Sequence, residues 1–216
     1  MIEELQEHLP YTLLAALIGV GFMALINFEA TLTNRQATLP QASRGLFHVF
    51  HVSHLFFSAI ATTAMFWRHE RRVFKTILVG FWGTILPCGT SDVLFPFIGG
   101  RMLGVPMELH ICLKEHPQLV LPFVLCGILV GFLLPPIQRS TIFSHAGHVI
   151  LSSSATMLYL LSFGIAEWLK FVALIFVLLV LAVMIPCCTS DIIFPLLFTR
   201  SQSDRERSPR AARRAL

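Results

Sequence analysis

Two ten-residue stretches could do chemistry, and they are copies of one another: Pro87-Cys88-Gly89-Thr90-Ser91-Asp92-Val93-Leu94-Phe95-Pro96 and Pro186-Cys187-Cys188-Thr189-Ser190-Asp191-Ile192-Ile193-Phe194-Pro195. Each sets a thiol, two hydroxyls and a carboxylate inside a long apolar run. A histidine pair precedes each copy: His51 and His54, followed by Ser58, Ala61 and Thr62, and His145 and His148, followed by Ser152, Ala155 and Thr156, all matched at one offset of 94 residues. Imidazole, carboxylate and thiolate together suit a borderline divalent transition metal such as Zn²⁺, Fe²⁺, Mn²⁺, Co²⁺ or Ni²⁺, whereas Ca²⁺ and Mg²⁺ prefer oxygen ligands alone. The candidate ligands are His51, His54, Asp92, His145, His148 and Asp191, with His48, Cys88, Cys187, Thr90, Ser91, Thr189, Ser190, Ser58 and Ser152 as accessory groups. The same set could relay protons, because histidine titrates near neutrality, so proton-coupled cation movement is a natural combination.

The elements that must position these groups are read from composition. Of 216 residues, 55% are hydrophobic and 13% charged, and the mean hydropathy of +0.74 agrees; this is the composition of an integral membrane protein. Spanning a hydrocarbon core of roughly 30 Å takes about 20 apolar residues in a helix. Six stretches qualify, at 10–32, 46–67, 73–98, 118–137, 142–165 and 169–198. Continuous apolarity excludes the short alternating strands of a barrel, so an all-α membrane protein is expected. No small-residue cleavage site follows the first run, which reads as a permanent span. Five cysteines at irregular spacing argue against a disulfide framework. The net charge of +4 sits in loops and the tail, where topology alone calls for it, so no nucleic-acid partner is expected; the partners are the lipid bilayer and a metal ion.

With the N-terminus cytoplasmic, eleven Lys and Arg residues fall on the inner side and five on the outer, which favours both termini inside, as in a bacterial inner (plasma) membrane. Glu7-His8-Leu9-Pro10 and Glu115-His116-Pro117 open the first and fourth runs, and Ile18, Val20, Gly21 and Phe22 match Ile128, Val130, Gly131 and Phe132. Each unit is therefore three helices, and an odd number turns the second copy over in the bilayer. The expected organisation is a first repeat at 1–98, a connecting loop at 99–117, a second inverted repeat at 118–200 and a disordered basic cytoplasmic tail at 201–216. Six short helices are few for a carrier, which points to a homodimer.

Residues three and four apart share a helix face, so His51, His54 and Ser58 project together, as do His145, His148 and Ser152, and His48 continues the first row as an entrance or interface residue. A rise of about 1.5 Å per residue predicts two equal sites stacked roughly 10 Å apart. Interior proline removes a backbone bond, so Pro87 and Pro186 should kink or break the third and sixth helices, with Thr-Ser-Asp capping a half-helix beyond. Isolated histidines serve packing as readily as ligation, and His69, His110 and His116 in the loops are read that way. Cys88 and Cys187 could equally be small apolar fillers, and the hydroxyls packing groups. The leading expectation is a divalent transition-metal transporter. The alternative is a membrane-embedded metal-dependent enzyme, a hydrolase or lipid oxidase, working through the same His and Asp residues.

Overall fold

The computed structural model describes the backbone of residues 2–133, 141–165 and 167–188, and the side chains of residues 9–133, 147–165 and 167–187. Its elements are α1 (Ile2–Leu32), α2 (Leu39–His69), α3 (Val73–Gly89), a π-helical turn (Thr90–Leu94), α4 (Phe95–Met102), α5 (Cys112–Glu115), α6 (Pro117–Leu133), α7 (Thr141–Phe163) and α8 (Val172–Cys188), with 3₁₀ turns before α2 and α8. No strand occurs among the described residues. Among those residues, four helical stretches are long and apolar enough to cross a membrane: Leu9–Leu32, Gln36–His69, Val73–Met102 and Trp168–Cys187. Pro117–Leu133 and Gly147–Phe163 are shorter apolar helices.

The chain folds around α2 and α7, the helices that carry the two histidine pairs. Every residue from Ser152 to Phe163 is buried, so α7 has no lipid-facing stripe over that stretch and must lie inside the bundle. Its run Ser152-Ser153-Ser154-Ala155-Thr156 is small and hydroxylic, which lets neighbouring backbones approach closely. The outer helices instead turn leucines outward: Leu14, Leu17 and Leu25 on α1, Leu125 and Leu129 on α6, and Leu174 and Leu181 on α8 are exposed.

Close approach is explicit where α6 meets α2. A Cβ on Gly127 would lie 2.6 Å from the Phe56 carbonyl oxygen, and one on Gly131 would lie 2.9 Å from that of Ile60. These two glycines, four apart on one face, form the small-xxx-small seam on which α6 seats. Gly127→Ala is expected to destabilise the detergent-purified protein by about 1–3 kcal/mol, the usual effect of overpacking. Thermal unfolding checks it, with Gly21→Ala as the neutral control, since nothing lies within 4 Å of the position a Cβ would take there.

The turns after α1, α4 and α7 gather at one end. Asn27, Gln36, Glu167 and Lys170 line one cleft there, the Glu108 amide donates to the Phe163 carbonyl at 2.9 Å, and Arg44 pairs with Glu108 at 3.5 Å. The opposite end holds the turn between α2 and α3, where Glu70 takes Lys75 at 3.0 Å and Arg72 at 3.3 Å.

The break expected at Pro87 does not occur. Val73–Met102 runs as one helical stretch, with Pro87 inside α3 and the irregularity displaced into the π-helical turn that follows. No half-helix starts at Ser91 either, because Gly89, Thr90, Leu94 and Phe95 all keep right-handed helical backbone angles. The wide turn has a specific consequence. Phe95 N–H donates to the Thr90 carbonyl, five residues back; the Ser91 carbonyl would next take the amide of Pro96, which has none. Thr156 of α7 supplies the missing donor, its hydroxyl lying 3.2 Å from the Ser91 oxygen. The irregular turn is thereby fastened to the central helix. Pro186 lies inside α8, and the half-helix expected beyond it, with Thr189, Ser190 and Asp191, falls outside the described residues.

Candidate metal centre

The π-helical turn presents Asp92 to α2. Asp92 is fully buried, and its Oδ2 lies 2.9 Å from His51 Nδ1 and 2.7 Å from His54 Nδ1. From α7 the Ser152 hydroxyl donates to Oδ1 at 2.8 Å. Ser91 Oγ stands 2.8 Å from that oxygen and 3.0 Å from the Cys88 carbonyl, and has one proton to give to either. A buried carboxylate is tolerable only when its lone pairs are met, and here histidine and serine donors meet both oxygens. An ionised carboxylate only accepts. Both rings must therefore carry hydrogen on Nδ1, and in its neutral form each offers Nε2 as a lone pair.

The Nε2 of His54 faces a cluster. His148 Nε2 lies 3.1 Å away, Cys88 Sγ 3.7 Å and Cys187 Sγ 3.8 Å. The ligand atoms of His54, His148 and Cys187 all fall within 4.8 Å of one another, and all three residues are buried. A tetrahedral ion with metal–nitrogen bonds of about 2.0 Å and metal–sulfur bonds of about 2.3 Å has N–N edges of about 3.3 Å and N–S edges of about 3.6 Å. The three separations from His54 match those edges to within a few tenths of an ångström, and His54, His148 and Cys187, with Cys88 beside His54, could hold a metal ion. Asp92 would then stand behind the ligand rather than on the metal, fixing tautomer and ring orientation as carboxylates commonly do for zinc-bound histidine.

The sequence residues separate accordingly. The structure brings His51, His54, Asp92, His148, Cys88, Cys187, Ser91 and Ser152 into one buried cluster. Among the described residues His54 and His148, expected in two centres about 10 Å apart, lie 3.1 Å from one another. Ser58 is fully buried on α2. Thr90 turns back to the Leu86 carbonyl at 2.7 Å and takes no part. The side chains of His145 and Asp191 lie outside the described residues, as do Thr189 and Ser190.

A second group was not legible in the spacing. His48, one helical turn before His51, meets His110 and His116 from the segment after α4, and their ligand atoms also lie within 4.8 Å of one another. His48 Nε2 is 3.0 Å from His110 Nε2, and His110 Nδ1 is 2.7 Å from Glu115. Burial holds the His110 imidazole below its ordinary histidine value against the opposing pull of Glu115. The continuation of the α2 row by His48, and the neighbouring Glu115-His116, were the available signals. A cavity of about 260 Å³, lined mainly by apolar side chains such as Leu55, Ile85, Val93 and Val120, reaches His51 and Cys112. Burial pushes the Cys112 thiol up to about 12, which leaves it inert as a nucleophile.

No known protein family, curated protein or solved structure matches this chain. The functional reading therefore rests on this chain's own residues.

Proposed function

We propose that the chain is a membrane carrier for a borderline divalent transition-metal cation such as Zn²⁺, held in transit between two inverted three-helix halves. One observation carries this reading. Residues paired by the sequence duplication, His54 with His148 and Cys88 with Cys187, converge on a single buried point. A site built equally by both halves is what alternating exposure needs, because rocking one half against the other opens it to either side in turn.

The packing supports the same reading. Gly19 of α1 seats against Ser153 of α7, and Gly127 of α6 seats against Ala59 of α2. Ala59 and Ser153 are 94 residues apart, as are His54 and His148. The first helix of each proposed half thus leans on the second helix of the other, a packing that an inverted duplication could produce. Six spans, both termini in the cytoplasm of a bacterial inner membrane, and a homodimer belong to this proposal, as does coupling to protons through the His–Asp pairs.

Flux into proteoliposomes loaded with a zinc-sensing dye tests it. Wild-type protein is expected to admit Zn²⁺, and His54→Gln and His148→Gln each to reduce the initial rate at least tenfold. Metal binding without flux would overturn the carrier. The second reading, a metal-dependent hydrolase or lipid oxidase, is favoured by the apolar cavity that reaches His51, since such a pocket suits an acyl chain. On that reading flux is absent and the two histidine variants differ.

A further inference from the structure

We infer that His48, His110 and His116 form a second cation site at the loop end of the bundle, made of three imidazoles and suited to Zn²⁺ or another borderline divalent ion. The site is independent of the transport reading, since it concerns binding alone. Its ligands come from three places in the chain: α2, the segment between α4 and α5, and the residue before α6. Only the fold brings them together.

The segment carrying His110 is held from several directions. The His110 amide donates to the Tyr159 hydroxyl at 3.0 Å, and that hydroxyl donates to the Glu108 carbonyl at 2.9 Å. The His110 ring stacks on Phe163, with centroids 4.6 Å apart and 15° between planes. Glu115 accepts from His110 Nδ1, which leaves Nε2 as a lone pair aimed at His48 Nε2. His116 stands edge-on to His48, centroids 4.8 Å apart at 87°. This is the arrangement of the buried centre repeated: a carboxylate behind one imidazole fixes its tautomer, and the exposed Nε2 faces further donors. Three histidine ligands with no thiol or carboxylate at the front leave a fourth position open to water. His110 is buried, while His48 and His116 are partly exposed, so the open position has access to solvent.

The location sets the site beside the first. His48 and His51 are one helical turn apart on the same face of α2, about 5 Å along the axis. The three imidazoles therefore stand one turn from the His51–Asp92–His54 group, with the buried Phe47 ring against His48, His110 and His51. Because the front is all nitrogen, the site should exchange its ion faster than a centre containing a thiolate.

Titration of the purified full chain with Co²⁺, followed by absorption, distinguishes the two sites. Wild-type protein is expected to take two equivalents, and only the ion in the buried centre should show thiolate-to-cobalt charge transfer. His116→Gln, on the partly exposed rim, should lose one equivalent and keep the charge-transfer band. Cys88→Ser with Cys187→Ser should lose the band and keep the other equivalent. Glu115→Gln should weaken the second equivalent about tenfold or more. Unchanged stoichiometry and affinity in His116→Gln would overturn the second site and leave the buried centre standing. Loss of both equivalents in His116→Gln would overturn it as well, since the two sites would not then be separate.

Discussion

Replacing His54 by alanine is expected to abolish metal binding at the buried centre, with a fall in affinity of at least a thousandfold. Three donor distances share the Nε2 atom of this residue, those to His148, Cys88 and Cys187, so its loss removes the ligand on which the others converge. Neighbouring groups cannot replace it. His51 has its Nδ1 on Asp92 and its ring stacked on Phe47, with centroids 5.3 Å apart. Isothermal titration with Zn²⁺ in a His116→Gln background, where only the buried centre counts, reads the effect directly. Affinity within tenfold of the parent would contradict it.

The second large effect is expected from Asp92→Asn, which keeps the shape and changes the chemistry. The carboxylate accepts from two imidazole Nδ1 atoms on one oxygen and from the Ser152 hydroxyl on the other. An amide offers one oxygen and one NH₂ group, so one side of the residue turns from acceptor to donor. Either the imidazoles must then change tautomer or the Ser152 hydroxyl must turn to accept, and the charge that assisted these buried bonds is gone. Weakening buried hydrogen bonds to a charged group in this way costs about 1.5–3 kcal/mol. The metal affinity should fall about 10- to 100-fold, because His54 is no longer held in the tautomer that presents Nε2. Thermal unfolding and Zn²⁺ titration of the same preparation separate the two consequences, and Asp92→Glu, which restores the acceptor, should recover part of the affinity. Equal affinities in Asp92→Asn and wild type would contradict the positioning role.

Much of this was legible in the sequence because apolar length and periodicity report directly on helices and their faces. The apolar runs at 10–32, 46–67 and 73–98 match α1, α2 and the stretch from α3 to α4. The meeting of His51 and His54 with Asp92 follows from helix rise alone. The depth of the histidines did not follow, since the count began at Leu46 and α2 begins at Leu39, with Pro40 in its first turn. Proline is preorganised for that position, and the seven added residues move His54 from the outer half of the helix to its middle. There it meets His148.

The π-helical turn was hidden for another reason. Proline in an apolar run reads as a break, yet a turn of i→i+5 bonding absorbs Pro96 while a neighbouring threonine satisfies the carbonyl left over. The signal for that compensation sits 65 residues away, on another helix. His110 and His116 were hidden by the path of the segment after α4, which periodicity does not encode. Glu108, Tyr159 and Phe163 set that path through contacts between distant parts of the chain.

The claim on which the account depends is that donors from both copies of the duplicated sequence hold one ion. X-ray absorption at the zinc edge of the Zn²⁺-loaded His116→Gln protein tests it most directly. The predicted first shell contains sulfur at about 2.3 Å, from Cys187, and two imidazole nitrogens at about 2.0 Å, from His54 and His148. A shell of nitrogen and oxygen alone would contradict it.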